Sequence, residues 1–191
     1  LRLDIVNLLR GPFEATGRWT DLADLLEIEL SVRGDSAGTA GILWRLEGLY
    51  ADQAADAQKR FRTLSRILKV TPEDARSWDA IERVAGEVEG WRDLAGWYET
   101  AAKAIQDAEA RVQVNLRLAR IEWQELNNTD HARRAYHEVL ANDDANVDAL
   151  DALETIYEQV GDHPELLKVY RRRFDVSPYA GEKIAYAFKM A

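Results

Sequence analysis

Cysteine is absent from the 191 residues, which removes disulfide staples, thiolate metal sites and cysteine nucleophiles together. Proline occurs four times and histidine three times. His131, His137 and His163 come without an H-E-x-x-H pair, a glycine-rich phosphate loop, a G-x-S-x-G elbow or a calcium-loop pattern. The expectation is therefore a protein that is not an enzyme and that needs no cofactor or metal. No apolar run approaches the roughly 18 residues needed to cross a bilayer. Leu1 to Arg18 also lacks the basic start and unbroken apolar stretch of a signal peptide, so no membrane insertion is expected and the address read from the sequence is cytoplasmic. Cations are in short supply too: 25 Lys and Arg face 34 Asp and Glu, for a net charge of −9. That balance opposes nucleic-acid binding, which concentrates Lys and Arg against phosphates.

What the chain does have is helix-forming material. It is 47% hydrophobic and 31% charged, rich in Ala, Leu, Glu, Asp and Arg, a mixture that favours helices over sheets. It also repeats. Trp19-Thr-Asp-Leu-Ala-Asp-Leu-Leu-Glu27 lies over Trp91-Arg-Asp-Leu-Ala-Gly-Trp-Tyr-Glu99 at a shift of 72 residues, and the same shift carries Arg45-Leu46 onto Arg117-Leu118 and Leu68 onto Leu140. A third copy begins at Glu165-Leu166-x-x-x-Tyr170. Since 72 residues is about 20 helical turns, any amphipathic helix would superpose its leucines at that shift. It would not also superpose Trp, Asp, Arg and Glu across the breaks at Gly34, Pro72, Asn127-Asn128 and Gly161.

Each block divides again. Val6, Leu43, Trp78, Asn115 and Leu150 recur at alternating spacings of 37 and 35 residues, each followed three residues later by Leu9, Leu46, Ile81, Leu118 or Leu153. Second-helix pairs run Leu22/Leu26, Arg60/Leu64, Leu94/Tyr98, Ala132/Tyr136 and Leu166/Tyr170, and Pro72 and Pro178 each fall eight residues after such a pair. Leu150-x2-Leu153-Glu-x2-Tyr157, then Gly161, Leu166-x3-Tyr170 and Pro178, is the most complete copy. This pattern resembles the tetratricopeptide repeat (TPR) family. The chain departs from it where the family keeps a small residue after the second bulky position, carrying Arg10, Glu47, Glu82 and Glu154 in four copies.

The resemblance implies an all-α, right-handed solenoid of stacked antiparallel helix pairs, a TPR-like superhelix of about eleven helices. One array spans 1–191, with pairs near 1–34, 35–71, 72–107, 108–143 and 144–177 and a final helix at 178–191. Helices are expected near 2–16, 19–32, 37–52, 55–70, 73–88, 91–106, 109–126, 129–142, 145–159, 162–175 and 178–190. Thr71-Pro72-Glu73-Asp74 reads as an N-cap, a first-turn proline and early acids, a device repeated at Ser177-Pro178 and at Asp162-His-Pro164-Glu165.

In that family the first helix of each pair lines a concave face, so the expected function is a protein–protein interaction scaffold holding a peptide or protein segment there. Helical periodicity then selects the groove residues: Asp4 and Asn7 in the first pair, Gly41, Trp44 and Gly48 in the second, and Arg76, Asp79 and Arg83 in the third. The fourth offers Gln113, Leu116, Arg120 and Trp123, and the fifth Asp148, Asp151 and Thr155. Gly41, Trp44 and Gly48 form either a flat ledge for a partner's backbone or a tryptophan filling the core. Arg76, Arg83 and Arg120 form either a basic stretch or ordinary solvated charges. Family members that clamp C-terminal carboxylates of chaperones carry Lys and Asn at groove places that here hold Asn7, Trp44, Asp79, Leu116 and Asp151, which does not fit such a clamp.

The basic runs Lys59-Arg60-x-Arg62-x3-Arg66-x2-Lys69 and Arg171-Arg172-Arg173 sit on second helices and are expected to be a solvated outer face. The chain starts with Leu and carries apolar patterns at Leu1–Leu9 and Ile184–Met190. It is therefore read as a fragment with neighbouring repeats or self-association at both ends, and a self-assembly arm or spacer of a larger complex is the alternative function.

Overall fold

The computed structural model describes residues 2–53 and 55–191; Leu1 and Ala54, which fall within the first and second expected pairs, lie outside the described residues. Those residues form eleven α-helices and no strand. They are α1 (Arg2–Ala15), α2 (Trp19–Arg33), α3 (Ala40–Asp52), α4 (Ala57–Val70), α5 (Ala75–Val88), α6 (Trp91–Ala104), α7 (Ala108–Arg120), α8 (Thr129–Asn142), α9 (Val147–Val160), α10 (His163–Val176) and α11 (Ala180–Lys189). Each expected helix is present.

The chain divides into two compact units, Leu1–Ala104 and Ile105–Ala191. In the first, α1 packs on α2, α2 on α3, α3 on α4, and α4 on both α5 and α6. In the second, α7 packs on α8, α8 on α9, α9 on α10 and α10 on α11. Helices thus stack in sequence order within each unit, because a single pair this short cannot bury its own apolar stripe.

The recurring positions make the cores. Val6, Leu43 and Trp78 are buried in the first unit, as are their followers Leu46 and Ile81. Leu22/Leu26, Leu64 and Leu94/Tyr98 meet them from the second helices, and each fully buried leucine contributes about 1.5–3 kcal/mol. In the second unit Leu150, Leu153 and Tyr157 do the same with Leu166 and Tyr170. Asn115 occupies a bulky position yet is buried, and its amide donates to the Arg111 carbonyl one turn back at 2.9 Å.

The charged residues at the family's small position are also accounted for, since each reaches a later helix. Arg10 pairs with Glu29 of α2, Glu47 accepts from Arg60 of α4 at 2.6 Å, and Glu82 accepts from the Tyr98 hydroxyl of α6 at 3.0 Å. Glu154 of α9 pairs with Lys189 of α11.

Two helix starts differ from the sequence reading. Asp74, not Thr71, caps α5, its carboxylate accepting from the Arg76 amide at 3.0 Å. Proline excludes Thr71 from helical geometry, and the Trp78 indole N–H donates to the Pro72 carbonyl at 3.0 Å, which fixes this turn ahead of the helix. Pro178 likewise precedes α11, whose first residue is Ala180, while the Ser177 hydroxyl accepts from the Tyr179 amide at 3.2 Å and bonds Glu182 at 2.6 Å. Asp162 does cap α10, with proline in its first turn.

Candidate functional site

In the second unit, α7 starts from the Asp107 cap, whose carboxylate accepts from the Ala110 amide at 2.8 Å. Val112, Asn115, Leu118 and Ala119 point into the core, so the opposite stripe of the same helix is left outside. Five more residues, Ile121–Glu125, continue it as a π-turn in which the Leu126 amide reaches back to the Ile121 carbonyl at 3.1 Å. Facing this stripe is α9, capped by Asn146, which buries Leu150, Leu153 and Tyr157.

Between them lies a cavity of about 510 Å³. Gln113, Leu116, Arg120 and Trp123 line it from α7 and its extension, and Asp148, Asp151 and Thr155 from α9. The structure thus brings together the groove residues selected in the fourth and fifth pairs. Arg117, Gln124, Tyr136 and Ala152 join them. Tyr136, one of the recurring second-helix positions, is buried, and its edge reaches the cavity. Gln124 comes in through the π-turn, for which the sequence carries no signal.

The two walls differ in sign. Arg117 and Arg120 stand on one, Asp148 and Asp151 on the other. Burial pushes the Tyr136 phenol up, Arg120 opposes that shift and Asp148 adds to it, so both charges act on the same hydroxyl. Asp151 is ion-paired with Arg173 of α10, whose Nε donates to the Tyr186 hydroxyl of α11 at 2.9 Å. Burial nevertheless raises the Asp151 carboxyl, against the opposing pull of Arg173.

In the first unit Asn7, Gly41, Arg76, Asp79 and Arg83 are exposed, and Trp44 and Gly48 are half-buried. The Arg76 guanidinium lies 3.9 Å above the Trp44 ring, joining α3 to α5. A Cβ placed on Gly41 or Gly48 would meet nothing within 4 Å, so the space beside the tryptophan is open.

The basic runs on second helices form the expected solvated face only in part: Lys59, Arg62, Lys69 and Arg171 are exposed, while the other arginines are tied to neighbouring helices. Arg60 is held by Glu47, and Arg66 by Glu27 and Asp35. Arg172 donates to the Asp144 carbonyl at 2.8 Å and Arg173 pairs with Asp151. These arginines link helices across the stack because their forked donors match carboxylates and carbonyls two at a time. The histidines are placed apart: His137 shares a 2.7 Å hydrogen bond with the Tyr157 hydroxyl, and burial lowers its pKa, while His163 opens α10.

Residues 149–177 match the tetratricopeptide repeat family profile, which falls on the copy that the sequence pattern marks as most complete. No curated protein sequence matches the chain. Among solved structures, a crystal structure of MamA is similar at 13% identity over 86% of this chain and 91% of that one, with a TM-score of 0.50. A second MamA crystal structure covers 90% of this chain and 89% of its own at 13% identity and a TM-score of 0.49. MamA from Desulfovibrio magneticus covers 92% and 94% at 11% identity and 0.47. At such identities the likeness is one of fold. Helices stacked in sequence order within each unit and a recurring core register give the chain a TPR-like helical-repeat fold, and residues 149–177 carry a repeat that matches the family profile.

Proposed function

We propose that this protein is a protein–protein interaction scaffold that holds an extended peptide segment in the cavity between α7 and α9. One observation carries the reading: two first helices face each other with a basic wall and an acidic wall, and Leu116 and Trp123 add apolar surface on the basic side. An extended backbone offers donors and acceptors along its length, and walls of opposite sign fix its direction and side-chain register. Trp44 with Arg76, beside the open Gly41 and Gly48, supplies a further flat surface in the first unit. Among the described residues no helix is long and apolar enough to cross a membrane, and the proposal places the scaffold in the cytoplasm.

Panning random twelve-residue peptides on the whole chain tests this. Enriched peptides should lose about tenfold or more in affinity on Trp123→Ala and on Asp148→Lys, and nothing on Arg171→Ala, an exposed residue of α10. Equal affinity for all four proteins rejects the groove.

The second reading, a self-assembly arm, is favoured by α11 and the turn before it, where Tyr179, Ile184 and Phe188 are 67%, 58% and 78% exposed. Large side chains this exposed mark association surfaces when they cluster. If that surface meets a second copy, sedimentation should show mass rising with concentration, and Phe188→Lys should abolish the rise. A monomer at every concentration removes this reading.

A further inference from the structure

We propose a second partner site, on the second helices of the first unit: a pocket between α4 and α6 that takes one aromatic or branched aliphatic side chain of a protein segment carrying carboxylates beside it. The pocket has a volume of about 250 Å³, and Asp35 and Pro72 line it together with residues of α4 and α6. That is below the roughly 300–1,000 Å³ of small-molecule sites, and suits a single anchoring side chain.

The 72-residue register explains why a void exists here. Thr100, Ala101 and Ala104 line it from α6. The equivalent positions hold Ile28, Glu29 and Val32 in the first copy and Arg172, Arg173 and Val176 in the third. Side chains of that size would fill the space. Trp97, also in the lining, stands where the other copies bury Leu25 and Val169 at 5% exposure. It is half-buried, with its ring 4.8 Å from that of Phe61. A large flat side chain is thus held beside a gap kept open by three small ones.

The opposite wall is rigid. The Arg66 guanidinium donates to both oxygens of Glu27 at 2.8 and 2.9 Å and to both of Asp35 at 2.8 and 2.9 Å. The ionisable side chains that line the pocket, Asp35, Arg66 and Lys69, sum to a single positive charge, and Arg62 is exposed one turn before Arg66 on α4. The rim is therefore positive in a chain whose net charge is −9. An apolar anchor flanked by acids matches both features, and steering by the rim would select it over a basic neighbour. This site is separate from the α7–α9 cavity, so the two readings stand or fall independently.

Nuclear magnetic resonance on the ¹⁵N-labelled whole chain tests it with three capped tripeptides: acetyl-Trp-Glu-Glu-amide, acetyl-Trp-Lys-Lys-amide and acetyl-Ser-Glu-Glu-amide. The first should shift the Trp97 indole and the Thr100 and Ala101 amides saturably. The second should bind roughly fivefold more weakly, the scale of exposed charge pairs, and the third should leave those signals in place. Lys69→Glu should reverse the order of the first two. Thr100→Ile with Ala104→Val, the residues of the first copy at two exposed positions, should abolish the shifts with the thermal melt unchanged. Absence of saturable shifts, their survival in the filled variant, or indifference to the Lys69 charge each overturns the proposal.

Discussion

Arg60→Met is expected to lower the unfolding free energy by about 3 kcal/mol, the lower end of what breaking a buried ion pair costs. Glu47 and Arg60 have side chains only 10% and 18% exposed, and the Arg60 Nε lies 2.6 Å from the carboxylate. Removing the arginine leaves Glu47 desolvated at the interface of α3 and α4 with no opposing charge. Methionine keeps the aliphatic stem, so lost packing adds little. The double variant Glu47→Leu/Arg60→Met should recover most of the loss, because replacing both ions by apolar groups of similar volume removes the desolvation cost along with the attraction. Urea unfolding of the three proteins decides it. A loss under about 1 kcal/mol in the single variant would make the pair equivalent to a surface salt bridge.

The same pair shows what the sequence can and cannot convey. Glu47, Arg10, Glu82 and Glu154 stand out in the sequence as departures from a small residue, a signal of where rather than why. Their partners lie on later helices, 13 residues away for Arg60 and 16 for Tyr98, and no local periodicity links them. The core was legible because bulky residues keep their phase: Leu43, Trp78 and Leu150 recur in register and all are buried. Helix starts were legible where one residue could cap, as at Asp162, and misread at Thr71, where Asp74 three residues on can also cap and proline decides against the threonine.

At the candidate site the visible part was the face of each first helix. Gln113, Leu116, Arg120 and Trp123 follow helical spacing and do line one cavity. Gln124 needs the π-turn and Tyr136 needs to be core and rim at once, and neither follows from a repeat pattern. The pocket between α4 and α6 was hidden for a different reason. It arises from residues that are smaller than their counterparts, and hydrophobic periodicity records large side chains, not missing ones. The Arg66 network that walls it closes over 31 and 39 residues of sequence, beyond the reach of helix-face arguments.

Two glycines of neighbouring register give opposite expectations, and the comparison isolates packing from backbone freedom. A Cβ on Gly96, inside α6, would meet nothing within 4 Å. Gly96→Ala should therefore stabilise by about 0.5–1 kcal/mol, the usual gain of alanine over glycine in a helix. A Cβ on Gly90, just before α6, would lie 2.5 Å from both Cε1 and Cζ of Phe61, against the 3.5–4.0 Å at which carbons pack. The Phe61 ring must retreat by about 1 Å, yet it is only 4% exposed and already packs on Trp97. Overpacking of this kind costs about 1–3 kcal/mol, and the entropic gain of alanine offsets less than 1. Gly90→Ala should thus destabilise by about 2 kcal/mol, measured by urea unfolding, and Phe61→Leu in the same chain should remove most of that penalty in a double-mutant cycle. If Gly90→Ala instead stabilises as Gly96→Ala does, the α5–α6 turn has room to move away from α4. The wall that Phe61 gives to Trp97 would then yield under the same push.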